Sequence, residues 1–295
     1  MPELPEVETV RQDLANELTG RKITKVTIDG ARTVRRHDVE EFLAGVSGRT
    51  VSGLRRKGKY LIIDLGQEEA LALPWPERPV AGGDQSGIPD RCVIVHLRMS
   101  GQLLWFSDDT APVASHTHCR FTLDSGAEVR FVDPRTFGEL WVSSRDAPAL
   151  AKLGPDALDD VTDWRILAQR LESRRGPLKA VLMNQHVLAG IGNIYADEIL
   201  FAARLRYDRM VPSLSTPAKK RLYIAVREVL AGAVRARGSS LADKQYRDLY
   251  GSVGRAQNDH KVVAKEGRPC PRCDRSILRS EFAGRSTYWC RFCQR

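Results

Sequence analysis

The chain has 295 residues, enough for two domains with buried cores, and 42% hydrophobic and 28% charged residues are ordinary values for a globular protein. No run of about 18 apolar residues occurs and the first residues lack a secretory signal pattern, so we expect a cytoplasmic protein without a membrane partner. The net charge of +9 is uneven, because residues 1–162 carry 20 basic and 25 acidic side chains whereas residues 163–295 carry 26 and 12, and this favours a polyanion such as nucleic acid over a solvated basic surface.

The N-terminal half begins with a predicted helix and continues as predicted strands. Residues 3–19 place their apolar side chains on one helical face and end at Gly20, which is a common stop signal. From residue 22 to 145, short apolar or alternating segments predict strands, namely ITKVTI, RTVSGL, KYLIIDL, CVIVHL, QLLWF, CRFTL, EVRFV and ELWV. Their close spacing predicts a β-sandwich or a flattened barrel. Residues 66–90, which hold four Pro and four Gly, are predicted to form a long surface loop.

The C-terminal half changes to helical spacing. The segments WRILAQRLESRR, LKAVLMNQ, NIYADEILFAAR and PAKKRLYIAVREVLAGAVRARG all show the period of a helix. We therefore predict an α+β protein with four parts, which are an N-terminal domain of residues 1–148, a linker of residues 149–162, a helical domain of residues 163–255 and a small module of residues 256–295.

Four of the six cysteines form two C-x2-C pairs with 16 residues between them, and they are Cys270, Cys273, Cys290 and Cys293. Two such pairs bring four thiolates to the corners of a tetrahedron, which structural zinc prefers, although iron accepts the same ligands. About 40 residues bury little core, so the metal should supply most of the folding energy of this module.

Two further segments contain residue types that suit phosphate binding or an exposed amine. The turn at Gly190 and Gly192 precedes a predicted helix, and Asn193 could cap that helix and donate to a phosphate, although a capped turn without a ligand explains the turn equally well. The chain start MPELPEVE would expose a secondary amine at Pro2 after removal of Met1, whereas a simpler interpretation is an acidic first helical turn.

Seven segments in order resemble the formamidopyrimidine-DNA glycosylase family, the 8-oxoguanine branch of the helix-two-turn-helix glycosylases. They are PELPEVE at 2–8, GKYL at 58–61, HLRMSG at 96–101, DPRTFG at 133–138, LKAVLMNQ at 178–185, GIGNIYADE at 190–198 and the four-cysteine ribbon that ends in CQR. The resemblance covers nearly the whole chain. It implies an N-terminal β-sandwich with an N-terminal helix, a helix-two-turn-helix domain and a C-terminal zinc finger, with DNA in the cleft between the domains.

The resemblance also implies the residues that act. The amine of Pro2 would attack C1′ of the damaged nucleotide and form a Schiff base, with Glu3 as general acid and Lys59 near the flanking phosphates. Glu6 would lie near the everted base, and the void in the duplex would be filled by Met99, Arg135 and Phe137. The simpler interpretation is core packing for Met99 and Phe137 and a surface turn for Arg135. The residues that would hold DNA are Lys179, Asn193 and Arg285, and Arg285 would also donate the proton for δ-elimination.

Four departures from the family pattern concern DNA contact and base preference. Arg98 replaces the usual Gly of HLGMSG, Val263-Ala264-Lys265 replaces Tyr-Gly-Arg, and the segment GSVGRAQN at 251–258 lacks an aromatic after its second glycine. The insertion at 66–90 is the fourth departure. The functional expectation is excision of oxidised purines with strand cleavage by β,δ-elimination, by a monomer that holds one zinc ion. The alternatives are an endonuclease VIII-type enzyme for oxidised pyrimidines and a non-catalytic damaged-DNA-binding protein.

Overall fold

A computed structural model describes residues 1–66, 91–145, 147–241 and 245–295. Apart from Gly66, the predicted surface loop at 66–90 lies outside the described residues. The helices are α1 Leu4–Leu18, α2 Val39–Val46, α3 Trp164–Glu172, α4 Leu178–Met183, α5 Asn193–Ala203 and α6 Thr216–Arg235. Short 3-10 turns occupy Ala31–Thr33, Pro148–Leu150, Val211–Ser213 and Ala256–Asp259. The α+β class predicted from the sequence is confirmed.

The strands of the N-terminal half form two antiparallel four-stranded sheets. Their bounds are β1 Ile23–Ile28, β2 Thr50–Lys57, β3 Tyr60–Gly66, β4 Arg91–His96, β5 Gln102–Phe106, β6 Thr117–Leu123, β7 Glu128–Val132 and β8 Glu139–Ser144. One sheet has the order β1-β6-β7-β5 and the other β2-β3-β4-β8. Both sheets and α1 contribute to one apolar core. The predicted β-sandwich is therefore confirmed, and every predicted strand segment overlaps a strand.

Helix α1 begins where the sequence predicts because Glu3 caps it. The Glu3 side chain and that of Glu6 each bond the other residue's backbone in a capping box, and Pro5 occupies an early position where its missing N–H is not needed. Leu4 and Leu14 are fully buried, so the helix is held on its apolar face. The capping box fixes the orientation of two carboxylates at the first turn.

The helical half has a second apolar core, to which the small C-terminal module is attached. Helices α5 and α6 pack together, and Leu4 at the start of α1 belongs to this core rather than to that of the sandwich. The module consists of a hairpin, β9 Leu278–Phe282 and β10 Arg285–Trp289, with cysteine turns on both sides. Trp289 packs edge-to-face against Tyr207 and thereby joins the hairpin to the helical half.

One fully buried guanidinium joins the two halves. Arg56 of β2 forms ion pairs with Glu8 of α1 and with two carboxylates between β8 and α3, those of Asp156 and Asp159. The side chain of Arg56 has no exposed surface. Buried charges are stable only when they are paired in this way. Because Asp156 also accepts a bond from the backbone of Gly58, the turn that carries Lys59 is tied to the helical half.

Candidate active site and nucleic-acid interface

The glycine turn before α5 binds an anion, and that anion is the carboxylate of Glu3. Gly192, Ile194 and Tyr195 donate their backbone N–H groups to the Glu3 oxygens at 2.7, 2.9 and 3.4 Å. A Cβ on Gly192 would lie 2.3 Å from Cδ of Glu3, so only glycine admits the carboxylate at this position. The open N–H groups and the dipole of α5 both favour a negative charge here. Neither of the two sequence interpretations, a phosphate site or a turn without a ligand, included this internal partner.

The neighbouring Gly190 has a similar structural role for the start of α1. Its φ of +112° suits glycine, and a Cβ would lie 2.4 Å from Cδ1 of Leu4. The backbone of Leu4 donates to the carbonyl of Gly190 at 3.1 Å. The two glycines therefore seat the chain start, and with it the buried Pro2, against the helical half.

Glu6 is enclosed by groups from the helical half. Its Oε1 accepts the hydroxyl of Tyr195 at 2.5 Å and the backbone N–H of Ser239 at 2.7 Å, and its Oε2 accepts the backbone N–H of Glu3 at 2.8 Å. The side chain is 1% exposed. Burial and the charge of Glu3 raise the pKa of Glu6, although these hydrogen bonds oppose the change. Glu6 therefore holds a proton more readily than an exposed carboxylate does.

Lys59 of the sandwich and Arg285 of the C-terminal module both lie near Glu3. Burial lowers the pKa of Lys59, the charges of Glu3 and Glu6 oppose that change, and Arg285 adds to it. Lys59 is 7% exposed, whereas Arg285 is exposed at the start of β10. The structure thus brings together Glu3, Glu6, Lys59 and Arg285 in one cluster of mixed charge.

Lys179 lies in the same region but is fully buried. Its Nζ bonds Oδ1 of Asp197 at 2.7 Å and Oγ1 of Thr287 at 2.7 Å, and the residue is fully buried. Burial lowers the pKa of Lys179 and raises that of Asp197 to about 6, while their mutual attraction opposes both changes. A direct grip on a phosphate, which we predicted for Lys179, would require this pair to open. The geometry instead assigns Lys179 to joining α4, α5 and β10.

Asn193 differs from its predicted role in one respect. Gly192 is the N-cap of α5, and Asn193 is the first residue of the helix, so the predicted cap is wrong by one residue. The Asn193 amide donates to the carbonyl of Ser286 in β10 at 3.0 Å. One amide hydrogen remains for another acceptor. Its contact with DNA stays a prediction.

Two loops of the sandwich present the predicted void-filling residues. Met99 is 40% exposed and Phe137 is 48% exposed, and the Arg135 guanidinium lies 5.0 Å from the centre of the Phe137 ring. The simpler interpretation of Met99 and Phe137 as core residues is therefore wrong. Both side chains are therefore accessible to a binding partner.

A buried carboxylate holds these two loops together. Asp133 accepts the hydroxyl of Ser100 at 2.5 Å, the N–H of Gly138 at 2.6 Å and the N–H of Arg135 at 3.2 Å. Asp133 has no exposed surface. It belongs to the DPRTFG segment, yet no sequence pattern singled it out, because a carboxylate beside proline in a loop is usually a surface turn.

Arg98 keeps the turn that precedes Met99, although glycine is expected there. Its φ is +53°, the left-handed conformation that glycine adopts without strain. Its guanidinium bonds Glu139 at 2.7 Å, and its N–H donates to Nδ1 of His96 at 2.9 Å. The substitution therefore leaves the turn in place and joins the Met99 loop to the strand after Phe137.

The four cysteines of the C-terminal module converge as predicted. Their Sγ atoms all lie within 4.8 Å of one another, with 3.8 Å between those of Cys270 and Cys293 and 3.5 Å between those of Cys273 and Cys290. Within the described part of the chain this is the only group of three or more His, Cys, Asp or Glu residues that suits a metal ion. Four thiolates at these separations fit a tetrahedral metal.

Comparison with known proteins assigns the family. Sequence models for the formamidopyrimidine-DNA glycosylase N-terminal domain, the H2TH domain of that glycosylase and a zinc finger found in FPG and IleRS match residues 1–140, 153–245 and 267–295. A formamidopyrimidine-DNA glycosylase of Moorella thermoacetica is 40% identical over 95% of this chain and 94% of its own length. One of Laribacter hongkongensis is 41% identical over the full length of both chains.

The chain belongs to the formamidopyrimidine-DNA glycosylase family.

Solved structures of the formamidopyrimidine-DNA glycosylase family share this fold. The protein of Thermus thermophilus has a TM-score of 0.81 at 35% identity, with 99% of this chain and 98% of that chain covered. A Lactococcus lactis enzyme bound to DNA containing N7-benzyl-Fapy-dG has a TM-score of 0.84 at 31% identity, with 99% of each chain covered. The family and the fold predicted from the sequence are thus confirmed.

Sequence reasoning missed several residues that organise the site. Besides Asp133 they include three partners of predicted residues, namely Tyr195, Asp197 and Ser239. Two more lie one contact further away, namely Asp156, which bonds Arg56 and Gly58, and His260, which lies 3.0 Å from the hydroxyl of Ser239. Tyr195 and Asp197 lie within GIGNIYADE, so their segment was recognised but their roles were not. Ser239 and His260 carried no sequence signal, because a single polar residue between helical segments is usually a surface residue.

Proposed function

We propose that this protein is a bifunctional DNA glycosylase/lyase that excises oxidised purines, such as 8-oxoguanine and formamidopyrimidines, through a Schiff base on Pro2. Family membership makes it an enzyme of DNA base-excision repair. The observation that carries the finer proposal is the seating of Glu3 and the buried Pro2 beside Lys59, at the junction of sandwich, helical half and zinc module. An oxidised-pyrimidine enzyme and a non-catalytic binding protein remain the alternatives for the experiment below to test, and the family assignment does not favour them.

The proposed nucleophile needs a free amine at Pro2. Met1 is 46% exposed, which leaves it accessible to removal. An α-amino group titrates near pH ~8, below the ~10.4 of lysine, so more of it is unprotonated at neutral pH. Attack on C1′ by this secondary amine displaces the base and leaves an iminium that is permanently cationic. That cation withdraws electrons for elimination of the 3′ and then the 5′ phosphate.

Glu3 would take up the proton that the Pro2 amine releases and pass it to the opening sugar ring, because Glu3 adjoins Pro2 and is held in a single orientation by three N–H groups. Lys59 and Arg285 would meet the phosphates on either side of the lesion, and Arg285 would donate the proton in δ-elimination. Since Lys59 is already largely desolvated, its cost of burial beneath DNA is small.

The loops with Met99, Arg135 and Phe137 would occupy the space left by the everted base. Phe137 would wedge between base pairs and Arg135 would hydrogen-bond the orphaned base, which offsets part of the few kcal/mol needed for eversion. The shared support from Asp133 favours insertion of both loops as one unit. Contacts of Lys179 and Asn193 with the DNA stay predictions, and for Lys179 the support is indirect.

We further propose that the C-terminal module holds one structural zinc ion. A tetrahedron with Zn–S bonds of about 2.3 Å has sulfur separations of about 3.8 Å, which agrees with the observed pairs. Zinc would fold the hairpin that presents Arg285 and takes no part in bond cleavage. Elemental analysis of the purified protein should give one zinc per chain, whereas iron in that amount would overturn the assignment.

The remaining proposals concern partners and place of action. We propose a monomer that acts on double-stranded DNA in the cytoplasm, where bacterial DNA is found. Among the described residues, no helix is both long and apolar enough to cross a bilayer. Sedimentation of the protein with and without duplex would establish its oligomeric state.

Borohydride trapping tests the function directly. The protein is incubated with duplexes that contain 8-oxoguanine, thymine glycol or an abasic site, and the covalent adduct is measured. Trapping on 8-oxoguanine is expected. Trapping on thymine glycol alone would favour the pyrimidine enzyme, and binding without any adduct would favour the non-catalytic protein.

Pro2→Gly separates the nucleophile from the binding surface. We expect this variant to lose far more turnover than affinity, because glycine keeps an amine but loses the permanent iminium. Mass spectrometry of the trapped wild-type adduct should place it on residue 2. An active protein whose first residue is Met1 or is blocked would contradict the mechanism.

A further inference from the structure

A chain of hydrogen bonds between side chains leads from Glu6 to the opposite side of the helical half. The hydroxyl of Tyr195 donates to Oε1 of Glu6 at 2.5 Å and lies 3.1 Å from Oγ of Ser239. Oγ of Ser239 lies 3.0 Å from Nε2 of His260. All four residues are at most 8% exposed, and three of the four have no part in the function proposed above. The chain is continuous, with an atom that can donate and accept at each intermediate position.

The far end of this chain meets a cavity of about 480 Å³. Tyr195 and His260 both form its wall, and its rim includes the exposed residues Glu228, Asp259 and Lys261. None of the residues predicted to contact DNA lines it. Water can therefore reach His260 while duplex covers the site around Glu3.

The surroundings of Glu6 create a need for such a connection. Glu6 is completely buried, and a Cβ on Gly238 would lie 2.9 Å from its Oε1, so no space for water exists on that side. A lesion base in the cleft would close the other side. A buried carboxylate that exchanges protons under these conditions needs a relay through neighbouring hydroxyl groups.

We propose that His260 is a positioning residue for base excision, which passes protons from cavity water through Ser239 and Tyr195 to Glu6. The proposal rests on the proposed function, in which Glu6 lies beside the everted purine. Glu6 in its acid form would give its proton to the purine as the base leaves. The relay replaces that proton on Glu6 in the same step, without opening the DNA cleft, and therefore contributes to the rate of a single turnover.

Each transfer in the relay moves one proton by one position. A hydronium ion in the cavity water gives a proton to Nδ1 of His260 and becomes water. The Nε2–H bond of His260 breaks as Oγ of Ser239 accepts the Nε2 proton. Ser239 passes its own hydroxyl proton to the oxygen of Tyr195, and Tyr195 passes its proton to Oε1 of Glu6. One proton has then moved from water to Glu6, and His260 is left neutral with its proton on Nδ1.

The charges around His260 set when it carries a proton. Burial lowers the pKa of His260, the carboxylate of Glu198 opposes this, and Lys265 adds to it. The other ionisable groups that face it are Glu3 and Tyr195 from the site, Asp259 and Lys261 from its own segment, Glu228 from α6 and Arg272 from the metal-binding module. His260 is thus neutral at rest at neutral pH and becomes charged only during transfer, as a relay requires.

Chemical rescue tests the relay. In His260→Ala, the rate constant for single-turnover excision of 8-oxoguanine should fall by at least about ten-fold. The loss should be smaller than the ~100-fold that direct proton transfer often contributes. The loss should grow as pH rises, because protons become scarcer. Added imidazole should restore the rate, since the enlarged cavity can admit it, whereas pyrazole, a ring of the same size that is far less basic, should not.

The abasic-site reaction provides the internal control. No base leaves from an abasic duplex, so strand cleavage by His260→Ala should stay within about two-fold of wild type, well under the loss in excision. His186→Gln is the matched control, because His186 is exposed and its ring bonds the carbonyl of Lys152. Ser239→Ala should repeat the selective loss, and Ser239→Thr, which keeps the hydroxyl, should recover it.

Each other result overturns the relay. Wild-type excision and an unchanged pH profile in His260→Ala would show that no proton passes this way. Equal losses on both substrates, or rescue by pyrazole, would show that His260 only fills space, and if His260→Ala fails to fold, the Ser239 pair gives the same decision. A wild-type enzyme that cleaves abasic DNA but excises no oxidised purine would instead refute the proposed function and, with it, the role given to Glu6.

Discussion

At the scale of single residues, the carboxylate of Asp133 holds two loops together. It accepts hydrogen bonds both from the Met99 loop and from the Arg135–Phe137 loop. In Asp133→Ala the buried hydroxyl of Ser100 and the buried N–H of Gly138 would lose their acceptor, at about 1–3 kcal/mol each. We expect unfolding free energy to fall by about 2–5 kcal/mol in a urea titration.

The exposed Asp109 is the control for that measurement, and Asp109→Asn should change stability by no more than about 0.5 kcal/mol. Asp133→Asn, which keeps the shape but turns one oxygen into a donor, should fall between the two. Equal stability of Asp133→Ala and Asp109→Asn would contradict the role given to Asp133.

His96 gives the fold a dependence on acid. Burial lowers its pKa from 6.5 to about 3, with Arg98 and Lys59 adding to the change. The pKa of His96 is lower in the folded than in the unfolded protein, so the fold favours the neutral ring. The contribution of neutral His96 to stability is therefore complete above about pH 6.5 and is lost as pH falls towards 3. Each unit of difference is worth about 1.4 kcal/mol, so the loss amounts to several kcal/mol.

Replacement by asparagine tests this contribution, because the amide has no titration in that range. Unfolding free energy measured between pH 7 and pH 4 should fall less steeply in His96→Asn than in wild type. The exposed His186 provides the comparison, and His186→Asn should keep the wild-type slope. Parallel curves for wild type and His96→Asn would be evidence against a neutral buried His96.

At the scale of elements, regular patterns were predictable and exceptions to them were not. Helix α1 and the eight strands follow from apolar spacing, since each has one face on a core. Helix α2 was missed within a region predicted to form strands. It has only eight residues, so its apolar spacing barely exceeds two turns, although its cap at Asp38, which accepts from Glu41, was a usable signal.

The glycine turn shows how an element can be recognised without its function. Its sequence predicted an anion at the start of α5, which is correct in kind, but the anion is a side chain 189 positions away. Sequence alone carries no information on such a pairing. Gly192 is required because of what the tertiary fold places against it, not because of local turn geometry.

Gly192→Ala therefore tests the position of Glu3 through the turn that holds it, while the Glu3 side chain itself is unchanged. The added Cβ would overlap the carboxylate at 2.3 Å, so Glu3 must move and excision should fall by about 100-fold, as small displacements of catalytic groups do. Gly53→Ala in β2 is the control, because nothing lies within 4 Å of its Cβ position. Single-turnover kinetics and thermal unfolding of both variants separate misplacement from misfolding, and full activity in Gly192→Ala would refute the assigned seating.

At the scale of the whole molecule, the site exists only because distant segments meet. Glu3 comes from the first helix, Lys59 from the turn between β2 and β3, and Arg285 from the metal-binding hairpin. The family resemblance predicted these residues one by one, but their common position depends on the buried Arg56 and on the docking of Trp289. Packing of that kind has no sequence period, which explains why Lys179 was expected at the DNA surface and lies buried beside Asp197.

The charge asymmetry between the two halves makes a prediction about DNA affinity. Residues 163–295 hold 26 basic and 12 acidic side chains, so most phosphate contacts should come from this half. Each contact releases counterions, and the logarithm of affinity then falls with the logarithm of salt concentration by about 0.9 per phosphate.

Arg285→Ala should weaken binding at low salt and reduce that slope by about one. Lys25→Ala, which removes an exposed charge from β1 in the acidic half, should leave the slope unchanged. Titrations of an undamaged duplex between about 50 and 200 mM salt measure both slopes. Equal slopes for the two variants would mean that the basic half of the chain does not face the DNA backbone.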